Sequence, residues 1–513
     1  MRSCLLRTAQ VGLSSIPRQS RSHSSKVAYQ YYRSFSVTRQ LRDEGERKWT
    51  TPLAKQLTEA INTTGPIPLA SYMRMCLTSD VGGYYTGAIG AGRDQFGQKG
   101  DFITSPEISQ VFGELIGIWF VAEWMSQGRP RENVELIEIG PGRGTLMDDI
   151  LRTIRRFKDM AKSINKIYMV EASEELRVAQ KNLLCGEDAK THESEIGWHS
   201  PSKYPDMSII WTDSIKAIPH DANATPFIVA HEFFDALPIH AFQVVDVPAP
   251  PQQPSTTNTT TNPSSASPKP PSPTRQWREI VVSPTPEGTT HADLGTPKSE
   301  QHSPVPEFRM TLSPTPTRHS LYLPESSPRY RALRSTPGAL IEICPDASLY
   351  ASDLASRIGG SPSHPKHTPS GAALILDYGP ASTIPLNSLR GIRAHTRVSP
   401  FSEPGLVDLS ADVDFTALAD AALAASRGVE VHGPVEQALF LEAMGIRQRA
   451  GMLAEKAADK KKGEDIGRAC NRLVDRGPGG MGKVYKALAI VPENGGRRPP
   501  VGFGGDVVYD ETK

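Results

Sequence analysis

The chain has 513 residues, enough for one large domain or two ordinary ones, and sets 57 Lys and Arg against 56 Asp and Glu. A net charge of +1 gives no strong field for nucleic acid, and no stretch approaches the roughly 18 apolar residues of a membrane span. The five Cys (4, 76, 185, 344 and 470) are dispersed and form no C-x-x-C, which speaks against a disulfide framework and a cysteine zinc site.

The charge is uneven along the chain. Residues 1–40 hold six Arg, one Lys and nine Ser but no acid. A basic, serine-rich, acid-free start predicts a mitochondrial transit peptide, with Arg33-Ser34-Phe35-Ser36 placing cleavage after Phe35; a disordered basic tail shares that composition. Losing residues 1–35 removes six basic residues and leaves a net charge of −5.

Trp49–Asn62 and Pro68–Leu77 read as short helices, followed by a glycine-rich loop over 82–100. Ser105, Pro106 and Glu107 predict a helix start: a capping hydroxyl, a proline at the first position and an acid at the positive end. Ile108 through Phe120 then supply a wide apolar face. The small polar lead-in Gly100–Ser105 is not something a packing helix needs.

Val134–Ile139 is an apolar run of the length of a buried strand, and glycines stand at 140, 142 and 144 just beyond it. Leu146, Ile150, Leu151, Ile154 and Phe157 recur at helical spacing after the turn. Strand, glycine turn and helix make the first half of a nucleotide-binding unit, whose helix start offers free N–H groups. Thr145 replaces the third glycine of a dinucleotide fingerprint. Glu138-x-Gly140-x-Gly142-x-Gly144 is instead the pattern that seats the methionine part of S-adenosylmethionine (SAM); a purely structural turn uses glycines too, so its meaning rests on the rest of the chain.

Lys166–Val170 predicts a second strand ending in Glu171, where an acid meets a ribose diol. Ser208–Trp211 predicts a third, ending at Thr212-Asp213, where an acid or amide faces adenine. Pro226–Ala230 predicts a fourth, leading into His231-Glu232-Phe233-Phe234-Asp235. His240–Val247 and Trp277–Val282 read as a hairpin around a disordered loop at 248–274, and residues 283–318 are similarly rich in Pro, Ser and Thr. Gly338–Ile343 and Ala372–Leu376 are further strands, with a helix at Asp346–Ile358 between them. Phe415–Ala425 and Val435–Met444 read as helices, 454–465 as a solvated charged stretch, and Met481–Ile490 as a closing strand. Alternating strands and helices predict an α/β fold with an open, largely parallel sheet.

Eight segments in this order, GDFITSPEISQVFGE (100–114), ELIEIGPGRGTLMDDILR (135–152), VEASEELRVAQ (170–180), AHEFFDALPIHAFQ (230–243), LILDYG (374–379), LRGIRAH (389–395), DLSADVDF (408–415) and MGKVYKAL (481–488), resemble the MidA-type methyltransferases. The resemblance spans roughly residues 50–245 and 330–490. It implies a class I SAM-dependent, Rossmann-like fold: an N-terminal cofactor-covering segment (36–125), a SAM-binding core (126–247), a hairpin with disordered inserts (248–330), the rest of the domain (331–495) and a tail (496–513). It implies SAM as cofactor, covered by the lead-in with Gly100, Asp101 and Ser105 and held by Gly140, Gly142, Gly144 and Glu171, to which the strand-end reading adds Glu138 and Asp213. Mitochondrial members of the family are arginine methyltransferases needed for assembly of respiratory complex I, which implies a complex I subunit as protein substrate and a matrix location.

Arginine methylation requires a group that orients a protonated guanidinium and takes its proton late. Glu232 and Asp235 are the candidate carboxylates, sharing a face if their segment is helical, with His231 as a possible relay and Asp377 as a further acid. The same residues could instead brace the sheet. Asp408, Asp412 and Asp414 could receive a basic loop or form a solvated acidic one. No spacing predicts a metal site or a nucleophilic Ser or Cys. A SAM-fold scaffold without chemistry and a nicotinamide oxidoreductase are the competing readings, the second weakened by Thr145.

Overall fold

The structure, a computed structural model, describes residues 47–87, 101, 103–247, 274–298 and 301–504. The transit-peptide segment, Gly100 and the 248–273 loop lie outside them. Among the described residues no helix is long and apolar enough to cross a membrane.

Six strands form the middle of the sheet that positions the site: β1 (Val134–Ile139), β2 (Ile164–Val170), β3 (Ser208–Thr212), β4 (Thr225–His231), β5 (Ala372–Tyr378) and β6 (Tyr485–Pro492). Their spatial order is β6-β5-β4-β1-β2-β3, within a nine-stranded sheet that adds Val429–Glu436 beyond β6 and Trp198–Pro201 and His192–Glu193 beyond β3. All neighbours from β5 to β3 are parallel, whereas β6 and both flanks are antiparallel. The order reverses between β1 and β4, and ligands of such sheets bind outside the strand ends at that point. β1, β2 and β4 are apolar because both sheet faces are covered. The Gln110–Ser126 and Thr145–Ile154 helices cover one face through Phe112, Trp119, Phe120 and Ile150. The Pro345–Gly359 and Phe415–Ala425 helices cover the other through Ala351, Leu354, Ile358 and Leu418.

An accessory antiparallel sheet is built on the hairpin of His240–Val247 and Thr274–Pro284. Leu340–Ile343 pairs with the first arm, so this strand lies outside the central sheet. The Pro52–Thr64 and Leu69–Thr78 helices pack on the accessory sheet through Leu53, Leu57, Tyr72 and Met73.

Several expectations need correction. The helix predicted to run on from Ser105 breaks: Ser105–Ile108 and Gln110–Ser126 are separate, with extended Ser109 (φ −156°) capping the second by accepting from Val111 N–H at 3.3 Å. Thr104, not Ser105, caps the first, and the Glu107 carboxylate accepts from its N–H at 3.3 Å. Within 283–318, Phe308–Leu312 forms a strand on Thr274–Pro284, anchored by fully buried Phe308. The charged stretch at 454–465 is solvated as expected, and it is also largely helical. It ends the Ile446–Glu455 helix and begins Lys460–Val474, which Asp459 caps and which buries Cys470, Leu473 and Val474. The 82–87 loop contains one helical turn, Tyr84–Gly87, and the helix expected from Val435 starts at Gln437, because Val435 and Glu436 end the Val429–Glu436 strand.

Candidate active site

The carboxyl ends of β1 to β5 open on one cavity of about 720 Å³. Its floor on the β1 side is the glycine turn, where Gly140, Gly142 and Gly144 all take left-handed φ values of +67°, +52° and +82°. Only glycine adopts such a run without strain. A methyl at Gly140 would lie 2.8 Å from the Phe233 ring, so the turn is also a close approach to the β4 end. Gly144 N-caps the Thr145–Ile154 helix and is packed by Gln180 rather than facing the cavity.

Gln180, buried in the Glu174–Cys185 helix, is a residue sequence reasoning passed over. Its amide donates to the Gly142 carbonyl at 2.7 Å and to Glu171 Oε2 at 3.3 Å, and its oxygen accepts from Trp211 Nε1 at 3.0 Å. One side chain therefore ties the glycine turn to the ends of β2 and β3. Glu171 lines the cavity, accepts from Ser173 N–H at 2.8 Å, and burial lifts its pKa to about 7. Glu138 also lines it, with Oε2 buried and unpartnered; burial pushes its carboxyl well above the usual range. Asp213 stands at the rim, exposed.

β4 ends in the acids. Glu232 has φ +50° and lines the cavity. Asp235 follows in a single 3₁₀ turn, Phe234–Ala236. The helix that would have aligned the two is absent, yet both face the cavity. Asp377 on β5 explains the turn: its Oδ2 accepts from the N–H groups of Phe233, Phe234 and Asp235 at 3.2, 2.9 and 3.3 Å. That acid braces the loop and is not among the residues lining the cavity.

Burial raises the pKa of Glu232 well above the carboxylate range, and neighbouring Asp235 adds to the rise. Burial also raises Asp235, against the Tyr378 hydroxyl that donates to it. His231 Nε2 lies 3.2 Å from Glu232 Oε1, but the two are not aligned and neither atom has a hydrogen-bond partner. Burial pulls His231 down to about 3, so it is neutral.

Asp408, expected in an acidic cluster, is buried at the cavity wall; it accepts from the Tyr85 hydroxyl at 3.1 Å and is pushed to about 7 by burial and by Asp235. Its companions leave the cluster: Asp412 accepts from Arg390 at 2.8 Å, and Asp414 caps Phe415–Ala425 while binding Arg329 at 3.0 Å. Arg390 lies 4.2 Å over the Tyr378 ring. Asp101 lines the cavity and pins its far wall, accepting from Tyr84 OH at 2.9 Å and Ala394 N–H at 2.7 Å. Ser105 sits behind the wall with its hydroxyl buried and unpartnered. The sequence points to Asp408 through the acidic cluster, whereas Arg390 lies in the segment at 389–395 that carries the family resemblance, and no other signal points to it.

A family model for S-adenosyl-L-methionine-dependent methyltransferases matches residues 115–435. The mitochondrial protein arginine methyltransferase NDUFAF7 of Rattus norvegicus is 34% identical over 454 residues, 88% of this chain and 86% of that protein. Its homolog in Drosophila melanogaster is 35% identical over 447 residues, 86% and 85% of the two chains. The crystal structure of a superfamily member from Burkholderia thailandensis, bound to S-adenosyl-homocysteine, superposes with a TM-score of 0.59 at 21% identity, covering 88% of this chain and 92% of that one. At that identity the likeness is one of fold.

Proposed function

The chain belongs to this family of S-adenosyl-L-methionine-dependent methyltransferases, and on that premise we propose that it methylates an arginine of a respiratory complex I subunit in the mitochondrial matrix and is needed for assembly of that complex. The names of its relatives and the acid-free N-terminus support the address and the substrate class.

The residues present fit the cofactor. Unpartnered Glu138 Oε2 offers an acceptor beside the glycine turn, where a methionine ammonium would sit. Left-handed Gly140 and Gly142 leave backbone without side chains against the cavity. Glu171 and Asp213 close the ribose and adenine end. When bound, SAM supplies a methyl group on a sulfonium sulfur.

The observation that carries the arginine reading is the ring of Glu232, Asp235 and Asp408 at one cavity, the last two buried and Glu232 12% exposed at its side chain. Burial makes the ionised forms costly, and an incoming guanidinium restores them by pairing. Guanidinium is protonated at all working pH values, so its attacking nitrogen must lose a proton as the C–N bond forms. Glu232, whose Oε1 has no partner, orients that nitrogen and accepts the proton. Asp235, held by Tyr378 and by the braced turn, fixes the other edge of the group. Alignment of the attacking nitrogen with the methyl group supplies most of the acceleration.

The test is mass spectrometry of arginine methylation on complex I subunits, in mitochondria lacking the gene and in the same mitochondria given Glu232→Gln. A mark lost in both, with complex I unassembled, is the expected result. A mark that survives in both while assembly fails without the gene would make the protein a scaffold.

A further inference from the structure

Away from the cavity, three chain segments converge on one carboxylate. His240 opens the first arm of the accessory hairpin, Glu279 lies on the second, and His319 sits in the short Arg318–Tyr322 helix. Nδ1 of His240 is 2.8 Å from Glu279 Oε1, and Nδ1 of His319 is 3.2 Å from the same oxygen. The imidazole centroids are 4.3 Å apart with the rings inclined by 51°, and both turn Nδ1 toward Glu279. All three ligand atoms lie within 4.8 Å of one another. Four ligands at bond lengths of about 2.0–2.1 Å around a tetrahedral ion stand roughly 3.3 Å apart, close to the spacing here.

The surroundings match a ligand set as well. Glu279 is fully buried, and its second oxygen, Oε2, accepts from the Thr317 hydroxyl and lies 3.3 Å from His319 Nδ1. The Thr317 contact orients the carboxylate toward the two imidazoles, as outer partners of metal ligands do. The His319 side chain is 45% exposed, which opens the remaining position to solvent.

We propose that His240 Nδ1, Glu279 Oε1 and His319 Nδ1 form a divalent-metal site, with water as fourth ligand. Two imidazoles and a carboxylate suit zinc among the borderline ions. The ion ties the start of the hairpin to the helix beyond its second arm. His240 stands two residues after Pro238, which lines the cavity, so the tie also secures the end of the segment carrying Asp235. The sequence conceals the site, because its ligands lie 39 and 40 residues apart.

Full-length protein freed of metal by a chelator is titrated with Zn²⁺ by calorimetry, while native mass spectrometry counts bound ions. Wild type is expected to take one zinc per chain and to melt at a higher temperature when loaded. His319→Ala removes the half-exposed ligand, so its metal-free melting temperature should match that of wild type. Its zinc affinity should fall roughly tenfold or more. Glu279→Gln, which keeps shape, should lose the same binding. Wild type without stoichiometric zinc, or His319→Ala with undiminished affinity, overturns the proposal.

Discussion

Gly142 takes φ +52° at the cavity floor while its carbonyl is held by Gln180 at 2.7 Å. A β-branched side chain there is strained by about 1–3 kcal/mol and points bulk at the bound cofactor. Gly142→Val is therefore expected to fold, by circular dichroism, and to bind SAM at least about tenfold more weakly by calorimetry. Unchanged affinity would mean that the cofactor seats elsewhere. The glycines and Glu171 were legible in the sequence because their chemistry is local: a turn and a strand end state their own geometry. For Asp377 the sequence left catalysis and bracing open, because its partners are three amides from a distant part of the chain. Gln180 was missed for the same reason, since nothing in its own helix reveals that Gly142 and Trp211 meet it.

At the level of elements, apolar runs gave β1 to β5 nearly to the residue, since strands buried on both faces need no partner to be recognised. Phe308–Leu312 escaped because a single fully buried residue, Phe308, holds it among prolines and serines. Lys460–Val474 escaped because its apolar contacts come only at its end. The break at Ser109 also has a packing consequence, for it lets Gln110–Ser126 lie tightly on Thr145–Ile154. A Cβ on Gly113 would fall 2.5 Å from the Asp149 Cβ. Gly113→Ala gains about 1 kcal/mol of helix propensity but faces an overpacking cost of about 1–3 kcal/mol, so the melting temperature should drop. SAM affinity should weaken with it, because the displaced helix starts at the glycine turn. A variant as stable as wild type would show that the helices separate freely.

Over the whole molecule, buried acids set how stability follows pH. Glu171, Asp408 and Asp149 are each lifted to about 7 by burial. Unfolded carboxyls titrate near ~4, so between ~4 and ~7 the folded chain holds more protons than the unfolded one, and stability falls as pH rises. Cofactor-free protein should melt at progressively lower temperature across that window and level off above it. Glu171→Gln should flatten the slope in scanning calorimetry, and a wild-type curve that climbs instead would contradict the burial argument. The brace from Asp377 imposes an order in time. It reaches its three amides across 142 to 144 residues of chain, and a chain made from its N-terminus completes β1, β2 and β4 long before β5 exists. A half-made molecule can thus shape its nucleotide end while the acid loop is still slack. The capacity proposed for recognition matures first, and the capacity proposed for turnover is withheld until the C-terminal half has closed the sheet.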